Sequence, residues 1–586
     1  MKKLTRTLIV LTSLMICMTS ISCFIVEKNQ QIFFPYQNDG TRNFLETQTI
    51  IGYSSLLFSD LQSFYKILPT DTGLYLFGST HLHDLDDHPS QSTKLAIIRT
   101  DQDGKYQWSK TVVDHYHEQN TQSIFIKDII TDKNENIIVT GYTNDGFFFD
   151  SRVPSNQPTF ILCLSKEGKT QWITFLERSK YNVVTSITFQ NNQLFFADYD
   201  YVNHALITFC LDPVTGKQLS KKTINFGMEF NDVKIYSSQV GWYMVYRVED
   251  KYTIIVQCFT FDGTFKWNYS YEIPYQEVFS LLNSSDISMR DPLVEMIPIS
   301  TTSNSTHFFI GGSLKAFYAK KGSDWYQGNR MYKSFLLAIL PNGELDWKYE
   351  TDFQKNASIY SIKCNEDQVM VVGQTSTQFL PTTKDSFQPK LAGGDDLYIR
   401  SFNMKGETEW ATYLGGKGDD PFYHQTGVMG KGFYDVTCDL SDNRVVIASN
   451  TSSTDFPVVN ADPLNQNLPT YSLNPLKEKN PPVYGVLAVF DTNGKIQWST
   501  FYTTDATNSQ LEKIPKSTII IQQDDYIGVK MLDVKIDKEN IYCIGNTNDS
   551  HTLLYRPYNS FIDINPIFEK HKAPIFINLF SIYKMK

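Results

Sequence analysis

A short pattern recurs along the chain: a tight turn that contains glycine, followed by an aromatic residue four positions after the glycine. An apolar run precedes each of these turns except the first. Glycine readily adopts the positive φ that a two-residue hairpin turn requires, so each copy predicts two antiparallel strands. The copies are Gly40 with Phe44, Gly104 with Trp108, Gly168 with Trp172, Gly263 with Trp267, Gly343 with Trp347, Gly406 with Trp410 and Gly494 with Trp498.

A second marker alternates with the first. It is a short apolar strand that ends in small or polar residues, as in Val372 to Thr375 and Ile544 to Thr547. The combined unit supplies four strands and recurs at roughly 50 to 90 residues, at or somewhat above the spacing typical of propellers. Helical patterns are missing, which favours a β-propeller over a solenoid.

Closure of the ring sets the number of blades. Seven complete units run from about residue 57 to residue 501, and an eighth begins with residues 530–536 and 541–544. Its third strand is predicted at residues 575–582 and its fourth at residues 43–50. The sequence therefore predicts an all-β fold, a β-propeller of eight four-stranded blades with seven as the alternative. Pairing of the N- and C-terminal strands would close the ring and remove both open edges.

The most regular copy of the repeat lies between residues 391 and 457. Four apolar runs, each bounded by turn residues, are predicted to be strands of a sheet that depends on its neighbours, since a lone hairpin is barely stable. These runs are Leu397 to Phe402, Glu409 to Leu414, Asp435 to Cys438 and Arg444 to Ala448.

This stretch carries a family resemblance. The segment GGDDLYIRSFNMKGETEWATYLGGKGDD, followed by TSSTDFP, resembles the SBBP family, a β-propeller repeat of extracytoplasmic proteins, over about residues 365 to 457. Residues 211–217 are more similar to the repeat of quinoprotein-type propellers. The SBBP resemblance implies a propeller fold and a cell-surface setting, and it implies no catalytic residues.

The N-terminus has the order of a targeting segment. Lys2, Lys3 and Arg6 precede an uncharged apolar run over residues 8–26. Three outcomes stay open: cleavage as a signal peptide, lipidation at Cys23, or retention as a membrane anchor. All three place the rest of the chain outside the cytoplasm. The predicted organisation is a signal peptide or anchor at residues 1–26, a tether at 27–38 and one propeller domain at 39–586.

Charge and cysteine content exclude several classes of protein. The net charge is −10 and the pI is about 5.6, without a long basic run after residue 6, so a nucleic-acid partner is not expected. No CxxC pair is present, which excludes a zinc ribbon. We expect the cysteines beyond the apolar segment to be small buried hydrophobes. They are Cys163, Cys210, Cys258, Cys364, Cys438 and Cys543.

A histidine cluster is the sharpest candidate for chemistry. The sequence HLHDLDDH holds His81, His83 and His88, and DHYHEQN holds His115 and His117. The first group is predicted in the loop after the second strand of a blade and the second group after its fourth strand, so both emerge on one face. Imidazole and carboxylate groups there suit a transition metal such as zinc or copper. Solvated loops also contain such residues for no catalytic reason, and spacing alone is a weak signal.

Acidic and aromatic residues give two further candidates. Paired aspartates suit calcium or acid–base chemistry, although solvated turns are the commoner reason for such pairs. The repeated tryptophans suit sugar stacking, but their fixed place in the repeat favours packing between blades. The aspartates are Asp84, Asp86, Asp87, Asp395, Asp396, Asp419 and Asp420. Beyond a possible metal or calcium ion no cofactor is expected, since the nucleophile-elbow, zinc-protease, P-loop and dinucleotide motifs are absent.

The remaining features concern partners. Four long inserts, at residues 274–292, 459–482, 504–525 and 551–572, are candidates for partner contact. The sequence therefore supports a non-catalytic surface protein that binds a protein or glycan. Two alternatives are an enzyme with a metal or quinone centre on one face, and a membrane-associated assembly scaffold. Glycosylation sequons lie at Asn268, Asn283, Asn304, Asn356, Asn450 and Asn548.

Overall fold

The computed structural model describes the sheets and many of the connections between them. The described residues are 32–34, 45–52, 61–83, 89–102, 106–112, 124–143, 147–148, 151–152, 159–176, 184–228, 230–247, 253–272, 287–288, 295–320, 329–352, 356–421, 436–441, 443–460, 483–502, 529–537, 540–547 and 577–585.

These residues form strands and turns and no helix, so none of them offers a helix that could cross a membrane. In chain order the strands are β1 (Ile32–Phe34), β2 (Leu45–Gly52), β3 (Leu61–Thr70), β4 (Gly73–His83), β5 (Pro89–Thr100), β6 (Tyr106–Val112), β7 (Ile124–Thr131), β8 (Ile137–Thr143), β9 (Phe147–Phe148), β10 (Ser151–Arg152), β11 (Thr159–Leu164), β12 (Thr170–Leu176), β13 (Val184–Gln190), β14 (Gln193–Asp200), β15 (Ala205–Leu211), β16 (Gln218–Asn225), β17 (Asn231–Ser237), β18 (Trp242–Arg247), β19 (Thr253–Phe259), β20 (Phe265–Glu272), β21 (Ile287–Ser288), β22 (Glu295–Ser303), β23 (Phe308–Lys320), β24 (Asn329–Ile339), β25 (Leu345–Glu350), β26 (Ala357–Cys364), β27 (Gln368–Thr375), β28 (Asp396–Asn403), β29 (Thr408–Leu414), β30 (Thr437–Leu440), β31 (Arg444–Thr451), β32 (Tyr484–Asp491), β33 (Ile496–Tyr502), β34 (Val529–Asp537), β35 (Asn540–Thr547) and β36 (Ile577–Met585).

Seven antiparallel blades follow one another along the chain, and the prediction of an all-β β-propeller is confirmed. Each blade is a sheet of four consecutive main strands, with the small strands β9, β10 and β21 as additions. Blade 1 is β3–β6, blade 2 is β7, β8, β11 and β12, blade 3 is β13–β16, blade 4 is β17–β20, blade 5 is β22–β25, blade 6 is β26–β29 and blade 7 is β30–β33.

A further sheet, the terminal sheet, combines strands from both ends of the chain in the order β1, β2, β36, β35, β34. Strand β2 pairs with β36 in antiparallel register, with Ile50 opposite Phe580. Strand β1 falls within the stretch that the sequence assigns to a tether, and it pairs with β2 at the outer edge. Residues 1–31, which include the predicted targeting segment and Cys23, lie outside the described residues.

The four apolar runs between residues 391 and 457 do not share one sheet. Strands β28 and β29 are the last two strands of blade 6, whereas β30 and β31 are the first two of blade 7. Three of the runs lie within the observed strands, and the run from Asp435 to Cys438 overlaps β30 at residues 437–438. The prediction that all four form one sheet is wrong, because β28 pairs with β27, an earlier strand that contains Val372. The hairpin motif shows which two strands are neighbours. It does not show which hairpins belong to the same blade, because nothing in the motif distinguishes a connection within a blade from one between blades.

Apolar residues from adjacent blades form the core. Most of the clusters span two neighbouring sheets, as where Tyr243 of blade 4 stacks on Phe308 of blade 5 with ring centroids 3.7 Å apart, whereas one cluster around Tyr413 lies within blade 6. Aromatic side chains contribute most per residue to such burial, and stacked pairs add to it. The abundance of Phe and Tyr in this chain therefore serves the contacts between blades.

The six patterned tryptophans were expected to pack between blades, and five of them illustrate how. Trp347 of blade 5 donates its indole N–H to the carbonyl of Met404 in the next blade at 2.8 Å. The same indole lies against Gly406, where a Cβ would come within 2.7 Å of the ring. Corresponding bonds join Trp108 to Lys166, Trp172 to Pro213, Trp267 to Pro341 and Trp410 to Thr492.

Hydrogen bonds also join the first strands of neighbouring sheets. The backbone N–H of Ile187 in blade 3 donates to Asp128 of blade 2 at 3.3 Å. In the same way Ile362 of blade 6 donates to the hydroxyl of Ser300 in blade 5 at 3.1 Å. First strands of successive blades are thus neighbours, as expected of the inner strands of a propeller.

The terminal sheet takes part in the same pattern on both sides. The N–H of Ile536 in β34 donates to Asp439 of blade 7 at 3.0 Å. The N–H of Ile67 in blade 1 donates to Asp533 of β34 at 3.1 Å. Strand β34 is therefore bonded to blade 7 and to blade 1.

Candidate functional site

The connections between strands differ sharply between the two faces of the molecule. In antiparallel blades the turns from first to second strand and from third to fourth strand share one face, here named the short-turn face. Within the seven blades, no connection on the short-turn face is longer than that of residues 212–217. In the terminal sheet, residues 35–44 connect β1 to the short-turn end of β2. The other connections leave the opposite face, named the long-loop face. Its longest are 113–123, 144–158, 273–294, 376–395, 415–436, 452–483, 503–528 and 548–576.

The predicted histidine site is only partly within the described residues. His81 and His83 lie in strand β4, paired with Thr93 and Pro89, rather than in the loop that follows it. His88, His115 and His117 fall outside the described residues, so their convergence stays a prediction. Across the described part of the chain, no three His, Cys, Asp or Glu side chains converge closely enough to hold a metal by themselves.

The predicted glycan acceptors occupy different environments. Asn268 is exposed on the outer strand β20 of blade 4. Asn304 is half-buried and donates to the carbonyl of Asn365 at 2.9 Å, and Asn356 is half-buried beside Ser376. Asn450 is fully buried. Asn283 and Asn548 lie outside the described residues.

The cysteines behave as expected of small buried hydrophobes. All six are free, and all except the half-buried Cys364 are buried. Burial raises the pKa of the Cys163 thiol to about 12 and that of Cys258 to about 11, so neither is a nucleophile near neutral pH.

The most unusual polar group on the long-loop face is an acidic cluster in blade 6. It consists of Asp395 and Asp396 at the start of β28 and Asp419 and Asp420 after β29. The backbone N–H of Asp420 donates to the carbonyl of Asp395 at 2.6 Å, which fastens the two segments together. Sequence reasoning treated these aspartates as solvated turn residues, and for Asp396 and Asp420 that interpretation is wrong, because both are fully buried.

One carboxylate oxygen of each buried aspartate is saturated with donors. Oδ2 of Asp396 accepts from the backbone N–H of Ala392 at 2.8 Å and from the side-chain amide of Gln388 at 2.7 Å. Oδ2 of Asp420 accepts from the N–H of Gly416 and from the hydroxyl of Ser453, both at 2.7 Å. Ser453 belongs to the connection of blade 7, so the cluster bridges two blades.

The other oxygen of each carboxylate lacks a hydrogen-bond donor among the described residues. Oδ1 of Asp396 and Oδ1 of Asp420 are buried and have no hydrogen-bond partner among the described residues. Both side chains surround Gly415: a Cβ there would lie 2.6 Å from Oδ1 of Asp396 and 2.8 Å from Oδ2 of Asp420. Glycine at this position thus leaves room between the two carboxylates that any other residue would fill.

Burial perturbs the acidity of the cluster. It raises the pKa of Asp396 to about 7, opposed by the Ala392 N–H and reinforced by the charge of Asp420. Burial also raises the pKa values of Asp395 and Asp420 to about 6, with the charge of Asp419 adding to both. A carboxylate in low-dielectric surroundings disfavours its charged form, and neighbouring carboxylates add to the cost.

The nearest lysine of the same segment does not compensate these charges. The side chain of Lys417 is 86% exposed and pairs with Asp455 at 3.4 Å, away from the buried carboxylates. The backbone N–H of Lys417 also donates to Asp455, at 2.8 Å. The glycine-flanked aspartate pairs in GGDD and GGKGDD were the sequence signal for this cluster, since glycines there permit close approach of the two segments.

The comparisons with known proteins add no functional assignment. No protein-family model matches the chain, and no curated protein matches it. Solved structures with some likeness include a prolyl endopeptidase at 10% identity, with a TM-score of 0.34 and coverage of 84% of this chain and 54% of that chain. Prolyl oligopeptidase B from Galerina marginata has 9% identity, a TM-score of 0.32 and coverage of 83% and 56%. The WD40 domain of SCAP from fission yeast has 9% identity, a TM-score of 0.30 and coverage of 72% and 92%.

The chain spans about half the length of the two peptidases. At these TM-scores the neighbours carry no argument about activity.

Proposed function

We propose that this chain is an exported, non-catalytic β-propeller that binds a protein or glycan partner through its long-loop face. The observation that carries the proposal is the difference between the two faces. A propeller needs only tight turns to connect its strands, and long connections cost conformational entropy without adding to the sheets. Within the seven blades the long connections are confined to one face, which is the arrangement expected of a recognition surface built on a rigid scaffold.

The export of the chain rests on its N-terminal sequence. A basic start followed by an apolar run is typical of targeting to the extracytoplasmic side, and the resemblance to SBBP repeats points to the same setting. An exposed sequon at Asn268 is compatible with a glycan there, whereas the buried Asn450 is a poor acceptor in the folded protein.

We also propose that the terminal sheet is an eighth blade that closes the ring. Two observations support it. The bonds from Ile536 to Asp439 and from Ile67 to Asp533 repeat, on both sides of this sheet, the contact that joins Ile187 to Asp128 between consecutive blades. The pairing of β2 with β36 gives the sheet its fourth main strand. Joining both chain ends in one sheet leaves no open edge between the first and last blades.

Binding to intact cell surfaces and to a glycan array tests the proposed function. The full-length protein is compared with two variants in which residues 461–482 or 503–528 are replaced by short Gly-Asn turns. The matched control is Lys405→Glu, a charge reversal at an exposed residue of the short-turn face. We expect at least one shortened variant to lose binding by tenfold or more while the control binds like the wild type. If both shortened variants still bind and the control does not, the proposal that the long-loop face binds the partner would be refuted.

A further inference from the structure

We propose that Asp396 and Asp420 bind one divalent metal cation, of which calcium suits the ligands best, between blades 6 and 7. Both carboxylates are fully buried, and each keeps one oxygen without a hydrogen-bond partner among the described residues. Buried polar groups are normally paired, so two such oxygens on neighbouring carboxylates need an explanation. A cation bound between the two carboxylates supplies the missing partner for these oxygens.

The hydrogen bonds to the cluster favour its charged form. Donors from Ala392 and Gln388 hold Oδ2 of Asp396, and donors from Gly416 and Ser453 hold Oδ2 of Asp420. N–H and O–H donors stabilise a carboxylate rather than a carboxylic acid. The two carboxylates border the same gap beside Gly415, with Oδ1 of Asp396 and Oδ2 of Asp420 at its sides. A buried negative charge is stable only when it is paired or coordinates a metal.

Among the residues that the structure describes, no positive side chain forms an ion pair with Asp396 or Asp420. The neighbouring Asp395 and Asp419 add negative charge, and the amino group of Lys417 is paired with Asp455 at the surface. The space itself exists because residue 415 is glycine, whose missing side chain leaves the gap between Asp396 and Asp420. Glycine at this position is thus a requirement of the site as well as of the loop.

The donor set selects a hard cation with flexible coordination. All candidate ligands are oxygens, which suit calcium or magnesium and not zinc or copper. Two side-chain carboxylates alone are too few for either ion, so backbone carbonyls and water must complete the shell. Calcium accepts such mixed and irregular sets of oxygens, whereas magnesium demands near-ideal octahedral geometry and keeps most of its water.

The position of the site gives it a role in the shape of the long-loop face. Asp396 begins β28, Asp420 lies in the connection from blade 6 to blade 7, and Ser453 lies in the connection within blade 7. A cation held by the two aspartates fixes three segments that leave the same face. Loss of the ion would loosen these segments without opening the sheets below them.

The test uses the full-length protein, freed of metals with EGTA and titrated with calcium chloride at pH 8. Isothermal titration calorimetry and thermal unfolding are measured for the wild type, Asp396→Asn, Asp420→Asn and Gly415→Ala. The matched control is Asp385→Asn, which removes an exposed carboxylate from the same connection of blade 6. We expect one saturable site in the wild type and in the control, and affinities weakened tenfold or more in the other three variants.

Two further measurements do not require any variant to bind calcium. Without calcium at pH 8, the two asparagine variants should melt at or above the temperature of the wild type, because each removes an unpaired buried charge. The calcium affinity of the wild type should fall at least tenfold between pH 8 and pH 5, as protons compete for the carboxylates. Absence of saturable calcium binding, unchanged affinity in the asparagine variants, or affinity independent of pH would each overturn the proposal. Equal binding of magnesium would overturn the choice of calcium.

Discussion

The contact between tryptophan and glycine of adjacent blades makes a quantitative prediction for Gly406→Ala. Gly406 has a φ of 80°, and a Cβ at this position would lie 2.7 Å from the Trp347 ring. Placing alanine in the left-handed region costs about 1–2 kcal/mol. Forcing an extra carbon into a packed contact costs about 1–3 kcal/mol more. The expected loss in the free energy of unfolding is therefore about 2–5 kcal/mol.

Gly227→Ala is the matched control for this prediction. Gly227 has a φ of 71°, and nothing lies within 4 Å of the position of its Cβ. Alanine there carries the backbone cost of about 1–2 kcal/mol without the contact. Urea unfolding of both variants and the wild type, followed by tryptophan fluorescence, measures the difference. Equal destabilisation by the two substitutions would show that the indole does not constrain the turn, and the reasoning about contacts between blades would fail.

Three other predictions concern charged residues. Because the folded state raises the pKa of Asp396 from 3.8 to about 7, stability should decline as the pH rises from 4 to 7, by about 4 kcal/mol in the absence of a bound cation; Asp396→Asn should flatten this dependence in urea titrations, and an unchanged slope would contradict it. Arg99→Met should cost about 1–3 kcal/mol, since it removes the guanidinium that lies 2.9 Å from Glu135 and leaves this half-buried carboxylate with the donors of Thr72 alone; a melting temperature like that of the wild type would exclude this role. Asp533→Ala should cost about 1–3 kcal/mol, because the N–H of Ile67 loses its acceptor; hydrogen exchange at Ile67 should then accelerate, and unaltered protection would argue against the bond.

The sequence predicted the strands well because the turn pattern has a local physical cause. Gly406 must adopt a positive φ, and Trp410 follows at a fixed distance in the next strand, so the hairpin of β28 and β29 is encoded within one short segment. The packing of the tryptophans between blades was likewise predictable from their regular placement. Trp242, which falls outside the pattern, is fully buried in blade 4, and its burial depends on neighbours distant in sequence.

The burial of the acidic cluster could not be predicted from the sequence as the strands could. The four aspartates were visible as two pairs, but burial of Asp396 and Asp420 depends on a contact between segments on either side of a hairpin and on Ser453 of the next blade. No local pattern encodes that contact. The glycines in both segments, including Gly415, were the available hint, since close approach of two backbones excludes side chains.

The direction of the terminal strands has a practical consequence for attachment. Strand β36 runs from the long-loop face to the short-turn face and ends there at Met585, whereas β1 begins beside Ile51, at the long-loop end of β2. A sensor surface that holds the protein by a C-terminal tag would therefore present the long connections to the solution. A linker fused ahead of Ile32 would instead bring them towards the support, and the two orientations give opposite access to any analyte.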